Sequence, residues 1–276
     1  MPSLRETLLA DVRDEKRVDG YYLPLAEWLS GLLEANAKRP YFLGISGPQG
    51  SGKSTIADAL TNAFSVLGKK TTHVSVDDFY LTRDEQVALS EKHPHDPLFE
   101  VRGFAGTHDV DLGARVLGAL SRGAPVRIPK YDKSAHGGLG DRAPESEWRD
   151  VEELQDLVIF EGWMLGFHKL PKHALDEDLW PSNELLPPYG TWTQKLDAFL
   201  LLEAKELDFI VKWRVDSERA RREKGEQTMN EVDAQKYVER FLPVYAAYVP
   251  RLRDDPPTEN FKRIVLDANR EPIALP

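Results

Sequence analysis

The sequence of 276 residues contains no cysteine, so disulfides, thiolate metal sites and thiol nucleophiles are all excluded. It also lacks an apolar run long enough to span a bilayer. Residues 1–7 form no apolar signal core, and the early acids Glu6, Asp11 and Asp14 are atypical of a transit peptide. We therefore predict a cytoplasmic protein with no membrane partner.

A positive net charge is missing as well, because 46 acidic residues outnumber 36 basic ones and leave a net charge of -10. Phosphate backbones are bound by clusters of lysine and arginine, so this balance argues against a nucleic acid partner. The length allows one large α/β domain or two small ones. Because no repeat or linker divides the chain, we predict an N-terminal helical extension at 1–39 and a single domain at 40–276. The sequence gives no indication of the oligomeric state.

The sequence does contain a complete G-x-x-x-x-G-K-[ST] loop, which follows the strand-like run Tyr41–Ser46. Glycines in such a loop let successive backbone N–H groups point at phosphate oxygens, and the following helix adds its positive dipole end. The alternative interpretation is a glycine turn with an incidental lysine. We predict that the loop binds a nucleotide triphosphate through Gly47, Gln49, Gly50, Ser51, Gly52, Lys53, Ser54 and Thr55.

Apolar periodicity predicts the order of the elements around this loop. A helix follows the loop, and because a β-α-β order joins parallel strands, we expect the next strand to be a parallel neighbour of the first. The whole pattern indicates an α/β fold with a doubly wound parallel sheet, whose sites lie beyond the carboxyl ends of the strands. The later strands are predicted at 72–76, 157–160, 198–202 and 263–266. Later helices are predicted at 112–120, 209–224 and 232–248, the last of them bent at Pro243.

Acidic residues follow two of the predicted strands. Glu161 comes directly after an apolar strand, where a Walker-B acid holds Mg²⁺ together with Ser54; the alternative is a strand end that faces solvent. Asp77 and Asp78 follow the second strand, and because strand side chains alternate, only one of them is expected to face the phosphates. Such an acid can accept a proton during phosphoryl transfer, whereas its neighbour would cap the following turn. The composition of the sequence does not show which of Asp77 and Asp78 faces the phosphates.

Several further strings make the sequence resemble a known family. The phosphate loop is followed by Asp77-Asp-Phe-Tyr-Leu-Thr82, Gly106-Thr-His-Asp109, Ile128-Pro-Lys-Tyr-Asp-Lys-Ser134, Gly140-Asp-Arg142 and Phe160-Glu-Gly-Trp-Met-Leu-Gly-Phe167. This order resembles the P-loop small-molecule kinases that include uridine kinase, pantothenate kinase and phosphoribulokinase. Within that group it is most similar to the plant and fungal type of glycerate kinase, which phosphorylates D-glycerate on its 3-hydroxyl. The resemblance covers most of residues 41–270.

The resemblance implies a P-loop kinase fold with a helical lid that uses ATP and Mg²⁺. Asp77, the first of the acidic pair, corresponds to the kinase base, beside Lys53 and Glu161. Asn269 and Arg270 lie where the adenine is often sandwiched in this class.

A cluster of arginines, Arg219, Arg221 and Arg222, corresponds to the lid that covers the phosphates, although such a cluster is commonly a solvated helix face. We assign the catalytic role to Arg222. The nearby string at 227–231 departs from the Gly-Met-Thr type expected there, which leaves the choice of arginine open.

A small hydroxy acid presents a carboxylate, which needs cationic donors in a partly dry pocket. We predict that substrate-binding residues within the resembling strings supply these donors and the pocket walls. For each of them the alternative is a solvated charge or core packing. The predicted donors are His108, Lys133 and Arg142, and the predicted walls are Tyr80, Tyr131 and Trp163.

Two other functions stay open. A nucleoside or pantothenate kinase would need an aromatic slot with amide donors and little positive charge, whereas these loops offer Lys130, Lys133 and Arg142. An ATPase switch or chaperone module would not need the acceptor strings at all. We favour a kinase whose partners are ATP and a small hydroxylated substrate, most simply D-glycerate.

Overall fold

The computed structural model describes residues 2–223, 225 and 228–274. Its helices are α1 (Leu4–Val12), α2 (Glu15–Arg17), α3 (Leu23–Ala35), α4 (Lys53–Val66), α5 (Arg83–Lys92), α6 (Val110–Ser121), α7 (Trp180–Glu184), α8 (Gly190–Thr193), α9 (Asp208–Glu223), α10 (Glu231–Glu239) and α11 (Leu242–Asp254). Its strands are β1 (Tyr41–Ser46), β2 (Thr71–Ser75), β3 (Val126–Ile128), β4 (Tyr131–Asp132), β5 (Asp141–Arg142), β6 (Arg149–Val151), β7 (Leu157–Gly162), β8 (Ala198–Ala204), β9 (Phe261–Leu266) and β10 (Pro272–Ala274).

The central sheet has the strand order β10-β9-β8-β1-β7-β2. Its strands β2, β7, β1, β8 and β9 run parallel, and β10 at the edge is antiparallel to β9. Strands β2 and β7 lie on one side of β1, and β8 and β9 lie on its other side. The direction in which the chain adds strands to the sheet therefore reverses at β1. Sites in such sheets lie at this reversal, beyond the carboxyl ends of the strands. The predicted α/β fold with a doubly wound parallel sheet is confirmed.

The first two strands are parallel, but the prediction that they are neighbours was wrong. The later strand β7 lies between them, with Gly162 opposite Ser46 of β1 and Glu161 opposite Ser75 of β2. This strand is buried along its whole length, as a strand with parallel neighbours on both sides should be. The three strands therefore end at the same level, and Glu161 lies between the loops that follow β1 and β2.

The second strand ends one residue earlier than predicted. Ser75 is its last residue, and Val76–Phe79 form a turn of 3-10 helix. The alternation of strand side chains therefore does not separate Asp77 from Asp78. Successive side chains of a 3-10 helix instead point about 120° apart, because it has about three residues per turn.

The helices beyond β8 also differ from the prediction. The segment expected as one bent helix forms α10 and α11, and Pro243 lies in the first turn of α11, where its missing N–H costs nothing. The preceding helix, α9, begins one residue earlier than predicted, and Lys224 at its predicted end lies outside the described residues. Helix α5 was not predicted, although Thr82 and Glu85 form a capping box at its start that is visible in the sequence.

The predicted helical character of the N-terminal segment is confirmed. A turn of π-helix, Val18–Tyr22, leads directly into α3. Helix α1 packs against α4, and Leu8, Tyr21 and Leu29 belong to the same buried core as the sheet. The division at residue 39 into an extension and a separate domain stays a prediction.

Two glycines of α6 provide a test of how this helix packs on α8. A Cβ atom at Gly113 would lie 2.5 Å from the ring of buried Trp192, whereas at Gly118 the nearest atom would be Nη1 of Arg122 at 3.4 Å. We expect Gly113→Ala to lower the free energy of unfolding by about 1–3 kcal/mol, because it overpacks the contact with the indole. The matched control Gly118→Ala should raise it by about 0.5–1 kcal/mol, since alanine is favoured over glycine inside a helix. Urea unfolding measures both values, and equal effects would contradict the close contact.

Candidate active site

The phosphate loop joins the buried end of β1 to the first residue of α4, Lys53. Gly50 has a φ of +78°, which favours glycine, and a Cβ atom there would lie 2.9 Å from the backbone of Trp213. Gly52, with a φ of +91°, takes the N-cap position of α4. The sequence thus allows a tight loop at the positive end of a helix dipole, an arrangement suited to bind phosphates.

Glu161 lies next to this loop and is 2% exposed. The hydroxyl of Ser54 donates a hydrogen bond to its Oε1 atom at 3.0 Å, and the Lys53 ammonium lies 3.7 Å from Oε2. His73 of β2 approaches from the other side, with Nε2 3.7 Å from Oε1. Burial would raise the pKa of Glu161, but Lys53 and His73 hold it below its usual range. The carboxylate therefore stays charged beside the phosphate loop.

His73 bears a positive charge in this arrangement. Burial alone would lower its pKa, but the carboxylates of Asp58, 2.9 Å from Nδ1, and Glu161 raise the pKa to about 9. It contributes to the balance of charge around Glu161, and it was not among the residues singled out in the sequence.

The oxygen atoms of Ser54 and Glu161 fit the requirements of Mg²⁺. The Oε2 atom of Glu161 is buried and has no hydrogen-bond partner among the described residues. Those residues include no group of three or more His, Cys, Asp or Glu side chains that could hold a metal. Because Mg²⁺ commonly takes one or two carboxylates and completes its shell with water and substrate phosphates, a sparse oxygen site of this kind suits it.

The structure separates the two neighbouring aspartates. Asp78 accepts a hydrogen bond from the Ser75 N–H at 2.9 Å and so caps its own turn, and burial raises its pKa to about 6. Asp77 instead lines the main cavity, where the Lys133 ammonium lies 2.5 Å from its Oδ2 atom. Burial would raise the pKa of Asp77, but Lys133 and Lys53 hold it well below its usual range. Asp77 is therefore a charged carboxylate between the phosphate loop and the loop that carries Lys133.

This main cavity has a volume of about 950 Å³ and lies at the carboxyl ends of β1, β7 and β2. It brings together residues that the sequence predicted from four separate segments. Trp163 forms part of its wall, with its indole N–H donating to the Gly103 carbonyl at 3.1 Å. The predicted residues that line it are Gln49, Gly50, Lys53, Ser54, Asp77, Tyr80, Lys133 and Trp163.

Three predicted substrate-binding residues lie behind this wall. His108 is buried and stacks on Tyr80 at 4.3 Å, and burial lowers its pKa to about 3, so it is neutral and does not supply the predicted positive charge. Arg142 donates to the Tyr80 carbonyl at 2.8 Å and lies 3.6 Å from Asp109. Tyr131 packs against Tyr80 with ring centres 5.2 Å apart. These three side chains hold Tyr80 in place rather than line the cavity.

Two predicted nucleotide-binding residues follow the last parallel strand. Arg270 donates from Nε to the Gly50 carbonyl at 2.6 Å and from Nη2 to the Trp213 carbonyl at 2.9 Å. Its guanidinium thus joins the phosphate loop to α9. Asn269 is exposed, and its N–H donates to Asp267 at 2.8 Å. Contact of either side chain with adenine stays a prediction.

Arg222, the predicted lid arginine, does not line the cavity. Its Nη2 donates to the Met229 carbonyl at 2.7 Å. The arginines of α9 that do line the cavity are Arg214 and Arg221. Gln227, from the string that departs from the expected lid pattern, lies outside the described residues.

Several further residues outside α9 line the cavity but were not identified from the sequence, among them Arg102 and Tyr237. Arg102 donates to the Gly138 carbonyl at 2.9 Å and so holds the glycine-rich segment 134–139 at the cavity edge. Tyr237 of α10 also lines the cavity. Neither residue belongs to a recognisable sequence motif. The pattern of helix faces could have indicated Tyr237, but no local feature of the sequence indicated Arg102.

Comparison with known proteins gives consistent matches. The model of the phosphoribulokinase/uridine kinase family matches residues 42–175. The chloroplastic D-glycerate 3-kinase of Arabidopsis thaliana is 36% identical over 282 residues, covering 95% of this chain but 62% of that protein, so this chain spans less than two thirds of its length. The uncharacterized kinase mug58 of Schizosaccharomyces pombe is 38% identical over 253 residues, covering 86% of this chain and 91% of that protein. The solved D-glycerate 3-kinase of Cryptococcus neoformans matches with a TM-score of 0.82 at 27% identity, covering 92% of this chain and 98% of that one.

The contacts of Arg270 lead to a prediction about phosphate binding. Arg270→Ala should weaken the binding of ATP and of inorganic tripolyphosphate by the same factor, about 10-fold, because the lost hydrogen bonds position the loop that binds phosphates. A direct contact with adenine would weaken the binding of ATP alone. Titration calorimetry with both ligands separates the two, and a loss confined to ATP would contradict the positioning role.

Proposed function

Because this chain belongs to the phosphoribulokinase/uridine kinase family, we propose that it transfers the γ-phosphoryl group of ATP to a hydroxyl of a small anionic metabolite, D-glycerate. Its fold is that of the P-loop kinases. The single observation that carries the proposal is the position of Asp77, whose carboxylate interacts with Lys53 of the phosphate loop and with Lys133 of the acceptor strings in one cavity.

The charge of the cavity supports an anionic acceptor. Lys133 and Arg102 are two cationic side chains from outside the phosphate loop, and both line the cavity. A carboxylate is bound well by such donors in a partly dry pocket, whereas a neutral nucleoside has no use for them. The relatives from Arabidopsis and Cryptococcus that carry the name D-glycerate 3-kinase add support for this acceptor.

The nucleotide would be bound by the backbone N–H groups of the phosphate loop and by Lys53 at the start of α4. Arg214 and Arg221 of α9 would face its outer phosphates across the cavity. The Ser54 hydroxyl and the Glu161 carboxylate would hold Mg²⁺, which neutralises phosphate charge when it is bound with the nucleotide. These groups stabilise the charge on the transferring phosphoryl group and align it with the acceptor.

Asp77 would orient the acceptor hydroxyl and receive its proton. As the new oxygen–phosphorus bond forms and the bond to ADP breaks, the hydroxyl proton passes to a carboxylate oxygen of Asp77. Lys133 keeps this carboxylate ionised before the reaction. In the described structure Lys133 lies 2.5 Å from Asp77, so one lysine can bind the substrate carboxylate and hold the base.

The other predicted partners and the location stay part of the proposal. None of the helices in the described ranges is long and apolar enough to cross a membrane. The acidic net charge of -10 supports the absence of a nucleic acid partner. We keep the cytoplasm as the proposed location, although the relative from Arabidopsis is named as chloroplastic.

An acceptor panel tests the function directly. ADP release should be fast with D-glycerate and slow with uridine, pantothenate, ribulose 5-phosphate and small sugars, and Lys53→Ala should abolish it in a protein that thermal melts show to be folded. Phosphorylation of uridine or pantothenate in preference would support the related kinases instead. ATP hydrolysis that no acceptor changes would favour a switch protein and overturn the proposal.

The two aspartates give a sharper prediction. Asp77→Asn should lower kcat by roughly 10²-fold or more with little change in ATP affinity, because a general base contributes on that scale. Asp78→Asn is the matched control, and it should act through the capped turn, at about 1 kcal/mol of stability. Steady-state kinetics and thermal melts of both variants decide between them. A large loss of kcat in Asp78→Asn with a mild Asp77→Asn variant would reverse the roles.

A further inference from the structure

Glu218 of α9 is a buried acid at the edge of the cavity that the proposed reaction does not yet use. It is 2% exposed, yet it belongs to the residues that line the cavity. A buried carboxylate is unfavourable unless it is paired and hydrogen-bonded, so its partners define what it does.

Both oxygens of this carboxylate have partners. Arg214 Nη2 lies 2.5 Å from Oε1, and Arg221 Nη1 lies 3.7 Å from the same atom. The Met229 N–H donates to Oε2 at 3.2 Å, which connects α9 to the segment before α10. Glu218 thus contacts both arginines of α9 that line the cavity.

The spacing along α9 explains this arrangement. Positions 214, 218 and 221 are separated by four and three residues, so these side chains share one face of the helix. Arg222 is one residue further, about 100° around the helix, and it contacts the Met229 carbonyl instead.

Arg214 is held in a defined direction. Its guanidinium lies between the Glu218 carboxylate and the Tyr237 ring, whose centre is 5.1 Å away. Its Nε atom is buried and has no hydrogen-bond partner in the part of the chain that the structure describes. An arginine that lines a cavity beside a phosphate loop, with its direction fixed by a carboxylate and an aromatic ring, is poised to bind an anion.

We propose that Glu218 is a positioning residue that orients Arg214 and Arg221 toward the outer phosphates of the bound nucleotide. This inference rests on the proposed function for its kinetic consequence, but its effect on nucleotide binding does not depend on any acceptor. The ligand class is a nucleoside triphosphate, which Glu218 influences without touching it.

The variant Glu218→Gln tests the role with little change of shape. Glutamine has no charge and puts an acceptor at only one of the two positions, so it cannot both pair with the arginines at Oε1 and accept from the Met229 N–H at Oε2. The matched control is Glu231→Gln, because Glu231 also pairs with an arginine near the lid, Arg219, at 3.0 Å, but neither of these residues lines the cavity.

The experiment measures ATP and ADP affinity by calorimetry, and kcat and KM with the best acceptor. Glu218→Gln should weaken ATP about 10-fold, the size of one charge-assisted hydrogen bond, and should weaken ADP less, because the arginines face the outer phosphates. It should also lower kcat about 10-fold or more, while Glu231→Gln stays like the wild type. Thermal melts establish that the variants are folded.

A second background shows whether Glu218 acts through the arginines. In a protein that carries Arg214→Ala and Arg221→Ala, adding Glu218→Gln should lower ATP affinity and kcat no further, because the two arginines that Glu218 orients are absent. A Glu218→Gln variant with wild-type ATP affinity and kcat would overturn the proposal. An equal further loss in the arginine-free background would overturn it too. If the wild type phosphorylates no acceptor, the proposed function fails, but the ATP and ADP affinities still decide the role of Glu218.

Discussion

The buried negative charge of Glu161 is the constraint on which the phosphate end of the molecule depends. A carboxylate that is 2% exposed needs compensation, and here it comes from Ser54, Lys53 and His73. These partners belong to α4, which follows β1 through the phosphate loop, and to β2, and β1 and β2 flank β7, so the charge balance is met only when the ends of β1, β7 and β2 are level. The same geometry brings Asp77 to the cavity, because the turn that carries it starts where β2 ends.

Arginines hold the loops around the cavity in place by donating hydrogen bonds to backbone carbonyls. Arg142 donates to Tyr80, Arg102 to Gly138, and Arg270 to Gly50. Backbone carbonyls of loops that are removed from water on folding need hydrogen-bond donors, and a guanidinium supplies several N–H donors in a fixed plane. Some cations near the phosphate site therefore hold loops, others line the cavity, and Arg102 does both. This division explains why Arg142 and Arg270 lie outside the substrate space while Lys53, Lys133 and Arg214 line it.

The direction and the burial of each side chain decide which charges act on the lid helix α9 and on the acceptor side of the cavity. The three positions Arg214, Glu218 and Arg221 share one helix face, so a single buried carboxylate contacts both arginines, whereas Arg222 points elsewhere. His108 was predicted as a cation because of its string, yet it stacks under Tyr80 and burial lowers its pKa to about 3. A residue type suggests a charge, but the surrounding dielectric and the direction of the side chain decide whether the charge exists and where it acts.

The sequence by itself determined the phosphate loop and the parallel α/β architecture, and it indicated acids after two of the strands, because each depends on local spacing: glycines that permit a tight turn, or a carboxylate near the end of an apolar strand. Spacing did not choose between Asp77 and Asp78, since both lie in a turn of 3-10 helix that the sequence did not predict. The sequence could not determine that β7 lies between β1 and β2, since strand order is set by long-range packing of segments more than 80 residues apart. The tertiary structure alone decided which cations face the cavity. Arg102 belongs to no local pattern, and although Arg214 and Glu218 pair at a spacing visible in the sequence, only the fold brings their face of α9 to the cavity.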